Sequence, residues 1–266
     1  MKNHSLIQGS IAKGLLFFVI PLFFSNLFQQ LYNTIDTLLV GHYLGDNALA
    51  AMGATAAVFE LIVQFSNGCG TGFSIVTARY YGSKDETELK KSVATSLVLG
   101  LIISLIITIV SYLSLPTLLR VLHTPKSIYT DSLNYIRCIS AFLIITMFYN
   151  LGAGMLRAIG DSLRPLIVLF CSSIINIALD IFCITILDMG VLGAAVATVV
   201  AQGISTIICF LLILKKAKIL IPHKEHFHIK SYMVSDLLGQ GFSMGFMFSI
   251  VSIGTIILQS GINGLG

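Results

Sequence analysis

Charge is what this sequence has least of. Only 11% of its 266 residues are charged, against 56% hydrophobic, whereas soluble domains carry about 25% charged residues. So little charge cannot cover a water-facing surface, and lipid is left as the main solvent of the chain. Paired cysteines are missing too. Cys69, Cys138, Cys171, Cys183 and Cys209 stand inside apolar runs, without the close spacing of a zinc site or the setting of a secreted disulfide framework, and they read as small packing residues. A cleavable signal peptide is lacking: the apolar run after Lys13 is too long and has no small-residue cleavage site before the next loop, so it reads as a retained span. No nucleophile elbow, phosphate loop or HExxH occurs. The glycines of Gly68-Cys69-Gly70-Thr71-Gly72 lack the Lys-Ser/Thr of a phosphate loop and fall inside a span, where close helix packing accounts for them. His223, His226 and His228 lack helical i, i+4 pairing and read as solvated, so no metal site is expected there. An intramembrane enzyme would need a Ser-His pair or a protease-like pair of aspartates across spans. No His lies mid-span, and the chain reads as a non-enzyme without cofactor.

What is present is a series of charge-free apolar windows: Gly14–Ile35, Leu61–Ala78, Ser92–Leu115, Cys138–Leu156, Pro165–Leu179, Met189–Leu214 and Leu237–Gly266. About 20 apolar residues cross a bilayer as helix, so the pattern predicts an all-α, polytopic membrane protein with six spans and a seventh reaching the last residue. Of the 16 Lys and Arg, all but Arg120, Lys126 and Arg137 fall in segments on the amino-terminal side of the membrane, from Lys2 to Lys230. The positive-inside rule then places the amino terminus in the cytoplasm of an inner membrane. The net charge of +4 reads as topology, not as nucleic-acid affinity. Gly41–Asn47 and Asp188–Gly190 read as short outer turns, and Ser114–Thr130, with Pro116 and Pro125, as a longer connection along the outer interface. Lys215–Ser231 is the longest polar stretch. The expected organisation is a six-helix lobe over 1–214, a cytoplasmic linker over 215–232, and the first helix of a second lobe over 233–266. An offset of 221 residues sets Thr34, Ile35, Leu44 and Gly45 against Thr255, Ile256, Leu265 and Gly266, as a parallel repeat would.

Ionisable residues at membrane depth cost about 2.5–3.5 kcal/mol on insertion scales, so Asp36, Glu60 and Asp180 need reasons. Gln29, Tyr32, Asn33 and Asp36 recur at i, i+3, i+4 and i+7 on an otherwise Leu, Phe and Ile helix, a stripe that must face protein or water. Asn176 and Asp180 share a face at i, i+4. Measured from the outer turns, Asp180 and Thr198 lie about 12–15 Å deep and Asp36 about 8 Å. Oxygen donors at similar depth suit a proton or a hard cation such as Na⁺; the plainer reading is polar glue between helices. Glu60, with Gln64 and Asn67 on its face, lines a cavity or pairs locally. Pro21 weakens the first span, as a fixed kink or a gated bend.

At this point the residues resemble the multidrug and toxic compound extrusion (MATE) family. Pro21, then Tyr32-Asn33-Thr34-Ile35-Asp36 to Val40-Gly41-His42-Tyr43-Leu44-Gly45, is similar to its opening motif. Leu156-Arg157-Ala158-Ile159-Gly160-Asp161 resembles its loop between the fourth and fifth spans. Asn176-Ile177-Ala178-Leu179-Asp180 resembles its fifth-span cation motif, and Gly193-Ala194-Ala195 with Thr198 its sixth span. The resemblance implies two six-helix lobes working by alternating access, with export of drugs or other cationic or amphipathic small molecules against inward H⁺ or Na⁺. It implies a cation site of Asp36, Asn176, Asp180 and Thr198, and a substrate cavity that takes in Gln29, Tyr32, Asn33, Tyr135 and Asn150. The family is about twice as long, and Asp36 is answered by Ile257 in the repeat register. The expectation is therefore an amino-terminal fragment, its missing lobe supplied by truncated sequence or by a second chain. The rival functions are a lipid-linked oligosaccharide flippase of the same superfamily and a non-transporting fragment.

Overall fold

The computed structural model describes residues 11–265, with side chains from Gly14 to Ile250. Lys2 and Gly266, which entered the topology and repeat readings, lie outside the described residues, as do the side chains of Lys13, Thr255, Ile256, Ile257 and Leu265. The described chain is helical throughout: α1 (Ile11–Leu44), α2 (Asp46–Gly82), α3 (Glu86–Val121), α4 (Tyr129–Ala141), α5 (Leu143–Ala158), α6 (Leu163–Ile181), α7 (Val191–Lys216) and α8 (Ser231–Leu265). A π turn, Phe182–Ile186, continues α6, and two 3₁₀ turns, Lys218–Leu220 and Lys224–Phe227, join α7 to α8. Among the described residues five helices are long and apolar enough to cross a membrane, and α4 with α5 makes a sixth span bent by 47°. This is a multi-pass membrane protein.

Helices run further than the apolar windows because lipid offers no partner to a free backbone group, so each segment stays hydrogen-bonded to itself for as long as it can. The expected turn over Gly41–Asn47 is one such correction. α1 persists to Leu44 and only Gly45 interrupts it, at φ 79°, a conformation that a Cβ disfavours. Pro116 likewise sits inside α3, in its last turns. Its neighbours Leu115 and Leu119 are fully buried, and their packing holds the helix through the one lost hydrogen bond. The outer connection shrinks to 122–128. The fourth span, read as one rod, breaks at Phe142.

Two apolar cores form along the bundle, one toward each end. The outer one gathers Val40, Leu115, Leu119, Ile136, Leu143 and Ala194; the inner one Phe73, Leu89, Leu151, Leu156 and Met233. Apolar residues cover the outside as well. Ile102, Leu105, Ile106, Ile109 and Leu113 form an exposed stripe on α3, the face lipid would solvate. Cys171 shares such a face with Ile167, Phe170 and Ile174, so it is not the packing residue expected; the other four cysteines are buried or half-buried, and all five are free.

The segment expected to be a polar linker is docked. Ala217 and Leu220 are buried with Met233 and Leu237 in the inner core. His226, expected in solvent, is buried, and its Nδ1 accepts the backbone N–H of His223 at 3.0 Å. Beyond it, α8 lies along α2. A Cβ on Gly68 would come within 2.5 Å of the Gly245 Cα, and one on Gly72 within 2.6 Å of the Gly241 Cα. The glycine run expected to serve close helix packing is thus a backbone-to-backbone seam between helices. Its inner end is tied by an Arg79–Asp236 ion pair and by the Tyr232 hydroxyl donating to Glu88.

Candidate cation and substrate site

α1, α6 and α7 pack on one another, and each carries polar groups at the same height. The longer α1 changes the depth of Asp36. Nine residues now separate it from the break at Gly45, about 13 Å at 1.5 Å per residue, which matches the eight residues between Asp180 and Asp188. Tyr32 donates its hydroxyl to the Thr198 Oγ1 at 3.2 Å, and the Asn176 amide nitrogen reaches the same oxygen at 3.5 Å. Asp36 and Asp180 feel each other's charge, and Tyr32 and Tyr135 stand within reach of both. The structure therefore brings together Asp36, Asn176, Asp180, Thr198, Tyr32 and Tyr135, from four helices.

What the carboxylates of this group lack is a donor aimed at them. Asn176 Oδ1 is buried without a donor, and the buried Asp36 and Asp180 carboxyls face each other, able to hydrogen-bond only through a shared proton. Asp180 and Asn176 are wholly inaccessible and Asp36 is 8% exposed. Buried acceptors without donors cost about 1–3 kcal/mol each, and an isolated buried carboxylate far more. Two buried carboxylates without an aimed donor gain by taking up a proton or a hard cation. Directly after Asp180 the backbone widens into the π turn, a feature that recurs at functional sites and that the sequence pattern did not signal.

The expected single pocket is divided into parts. An outer cavity of about 360 Å³ is lined by Tyr32, Asn33, Asp36, Glu60, Tyr135 and Thr198, with Met52 and Phe59 among its apolar walls. Asn176 and Asp180 do not line it; they lie behind the wall residues Thr198 and Asp36. An inner cavity of about 350 Å³ is lined by Gln29, Asn33, Gln64, Asn67, Asn150 and Arg157 among others. Asn33 borders both. Between Tyr32 and α7 lies a polar void of about 20 Å³ that Ser172, Gln202 and Ser205 help to line, room for about one water. Of the residues assigned to a substrate cavity, Tyr32 and Tyr135 belong to the outer chamber, Gln29 and Asn150 to the inner, and Asn33 to the border.

Glu60 is now placed. It faces the outer cavity, exposed, and has no ion pair or hydrogen bond among the described residues. It closes a face of α2, Gly53-Ala56-Glu60-Gln64-Asn67-Thr71, that passes from the outer cavity to the inner one. There the Asn150 amide donates to Asn67, and Asn67 to Gln64 at 3.1 Å. Gln202 was missed, although Thr198, Gln202 and Ser205 recur at i, i+4 and i+7 on an apolar helix; it accepts a hydrogen bond from Thr146 at 2.5 Å.

The MatE family model matches residues 21–182. The chain is 30% identical to the "Probable multidrug resistance protein YoeA" of Bacillus subtilis (strain 168), an alignment that takes in 97% of this chain and 58% of that protein. Among solved structures, an outward-facing multidrug resistance MATE family transporter of the MOP superfamily superposes with a TM-score of 0.88 at 28% identity, over 97% of this chain and 57% of that one. An inward-facing form superposes at 0.81 and 30% identity, over 87% and 53%. The chain spans under two thirds of the length of these relatives.

Proposed function

Because this chain belongs to the MatE family, we propose that it forms the cation-binding lobe of a transporter, not an enzyme, that exports drugs or other cationic and amphipathic small molecules in exchange for H⁺ or Na⁺. The observation that carries the reading is the facing pair of buried carboxyls, Asp36 and Asp180, with no donor but a proton shared between them, next to a cavity large enough for a small molecule. Relatives named as multidrug resistance and multidrug export proteins agree with it. On this reading residues 1–214 are one lobe, 215–232 the cytoplasmic connection, and 233–266 the start of a second lobe, supplied by further sequence or a second chain; the amino terminus faces the cytoplasm of an inner membrane, as the basic residues indicate.

The coupling follows from electrostatics. Two unit charges about 4 Å apart repel by about 4 kcal/mol at an effective dielectric near 20. A proton or Na⁺ taken up between Asp36 and Asp180 removes that repulsion and lets α1 settle against α6 and α7. α1 is one continuous helix through Pro21 here, and the missing backbone hydrogen bond at Pro21 is where it would bend. Only a difference in cation affinity between the two forms drives such a change. A flippase for phosphate-linked sugars fits less well, since the two chambers together present two carboxylates against a single arginine.

The test is transport. Reconstituted in vesicles together with the sequence or chain that supplies the second lobe, the protein is expected to move a fluorescent organic cation against its own gradient when an opposing H⁺ or Na⁺ gradient is imposed, and to stop when an ionophore collapses it. Dye movement indifferent to both gradients would refute the coupling. Glu60→Gln is expected to weaken binding of the cationic dye about fivefold, the ~1 kcal/mol of a solvent-reachable charge pair, with the ion dependence unchanged; a titration of dye fluorescence measures it.

A further inference from the structure

The inner cavity has one charged residue in its wall, Arg157. The side chain is half-buried, and its guanidinium makes no ion pair or hydrogen bond with any described residue. The acid nearest in sequence is not free to serve it: Asp161 bridges Arg164 at 2.6 Å and accepts that residue's backbone N–H at 3.2 Å. Arg157 stands in the last turn of α5, where the helix dipole offers about half a negative charge, too little to neutralise a guanidinium. Buried charges are normally paired. The rest of the wall is amide, hydroxyl and the apolar Ala153, Pro165, Leu169 and Phe248, without a carboxylate, and it includes the exposed amides of Asn26 and Gln30 on α1.

We propose that the inner cavity is an oxyanion site in which the Arg157 guanidinium, helped by the amides of Asn26 and Gln30, holds a carboxylate or phosphate group. The planar fork of five N–H donors matches either group bidentately. The lobe then has chambers of opposite polarity, carboxylates in the outer one and a cation in the inner one, and its ligands include molecules that carry an anionic group besides a positive one. The oxyanion comes from a transported molecule or from a lipid headgroup. This inference rests on the reading of the cavities as substrate chambers.

The experiment compares two dyes that differ only at the oxyanion: a rhodamine with a free carboxylate and its ethyl ester, bound to the purified chain and followed by fluorescence polarisation. Arg157→Gln is expected to weaken the free acid about tenfold, as loss of a charge-assisted pair does, and to leave the ester within about twofold; Arg157→Lys keeps part of the preference. On the wild-type chain, inorganic phosphate is expected to displace the acid and not the ester, a result that does not depend on any variant folding. Phospholipid retained by the wild type and lost from Arg157→Gln, with dye binding unchanged, assigns the oxyanion to a headgroup. Equal binding of both dyes by both chains, no competition by phosphate and equal retained lipid overturn the site. A wild-type chain that binds neither dye defeats the substrate-chamber reading, and the lipid comparison then decides Arg157 alone.

Discussion

Asp180→Asn is expected to lower gradient-driven dye transport about 100-fold, and Asp36→Asn to do the same, while the purified chains stay folded and bind dye within a few-fold of the wild type. The size follows from the charge pair. About 4 kcal/mol of repulsion corresponds to nearly three decades in an equilibrium constant, and relaxation of the site takes back part of that. Asparagine has nearly the shape of the carboxyl group and no charge, so each variant mimics the neutralised site permanently and leaves the cation nothing to change. The stability prediction has the opposite sign to that for most core substitutions. Asp180 has two buried oxygens without donors, and removing an uncompensated buried charge stabilises, so thermal unfolding in detergent is expected at the same or a higher temperature. Retained, ion-dependent transport in Asp180→Asn would end the proposal. A chain that unfolds earlier would show instead that the carboxylate is structural glue.

The second large effect belongs to the seam between α2 and α8. Gly72→Leu is expected to destabilise the chain by about 3 kcal/mol, the upper end of the range for overpacking, because its new side chain meets the backbone of Gln240 and Gly241 rather than a flexible side chain. Gly68→Leu meets Gly245 and Met244 in the same way. Gly239 is the control: a Cβ there has open space, so Gly239→Ala is expected to gain about 0.5–1 kcal/mol from helix propensity. Circular dichroism melts in one detergent compare the three. If Gly72→Leu melted with the wild type, α8 would not be held against α2 through this seam.

The two aspartates were legible because a charge on an apolar helix is conspicuous, and their partners because i, i+3 and i+4 spacing puts residues on one face whatever the neighbours are. That argument reaches as far as one helix. It put Tyr32 in a stripe with Asp36 and Asn176 on a face with Asp180, but could not bring Tyr32 and Asn176 to a shared Thr198 oxygen, and it left Glu60 between two readings. Gln202 and the π turn at Phe182–Ile186 escaped for different reasons. An amide among Ser and Thr on α7 looks like ordinary helix packing, and a π turn adds one residue to a helix without changing its composition.

Composition and spacing alone determined that the chain crosses a membrane repeatedly, roughly where it does so, and which few side chains carry chemistry, because bilayer thickness and helical periodicity act on the chain locally. Tertiary packing decided where helices stop, which wall each polar stripe lines, and which charges go without a counter-charge. Those outcomes depend on neighbours distant in sequence: Asp161 is taken by Arg164, so Arg157 is left over; α8 covers Gly68 and Gly72, so their lack of a side chain has a purpose; and Asp180 lies sealed behind the cavity that Asp36 faces.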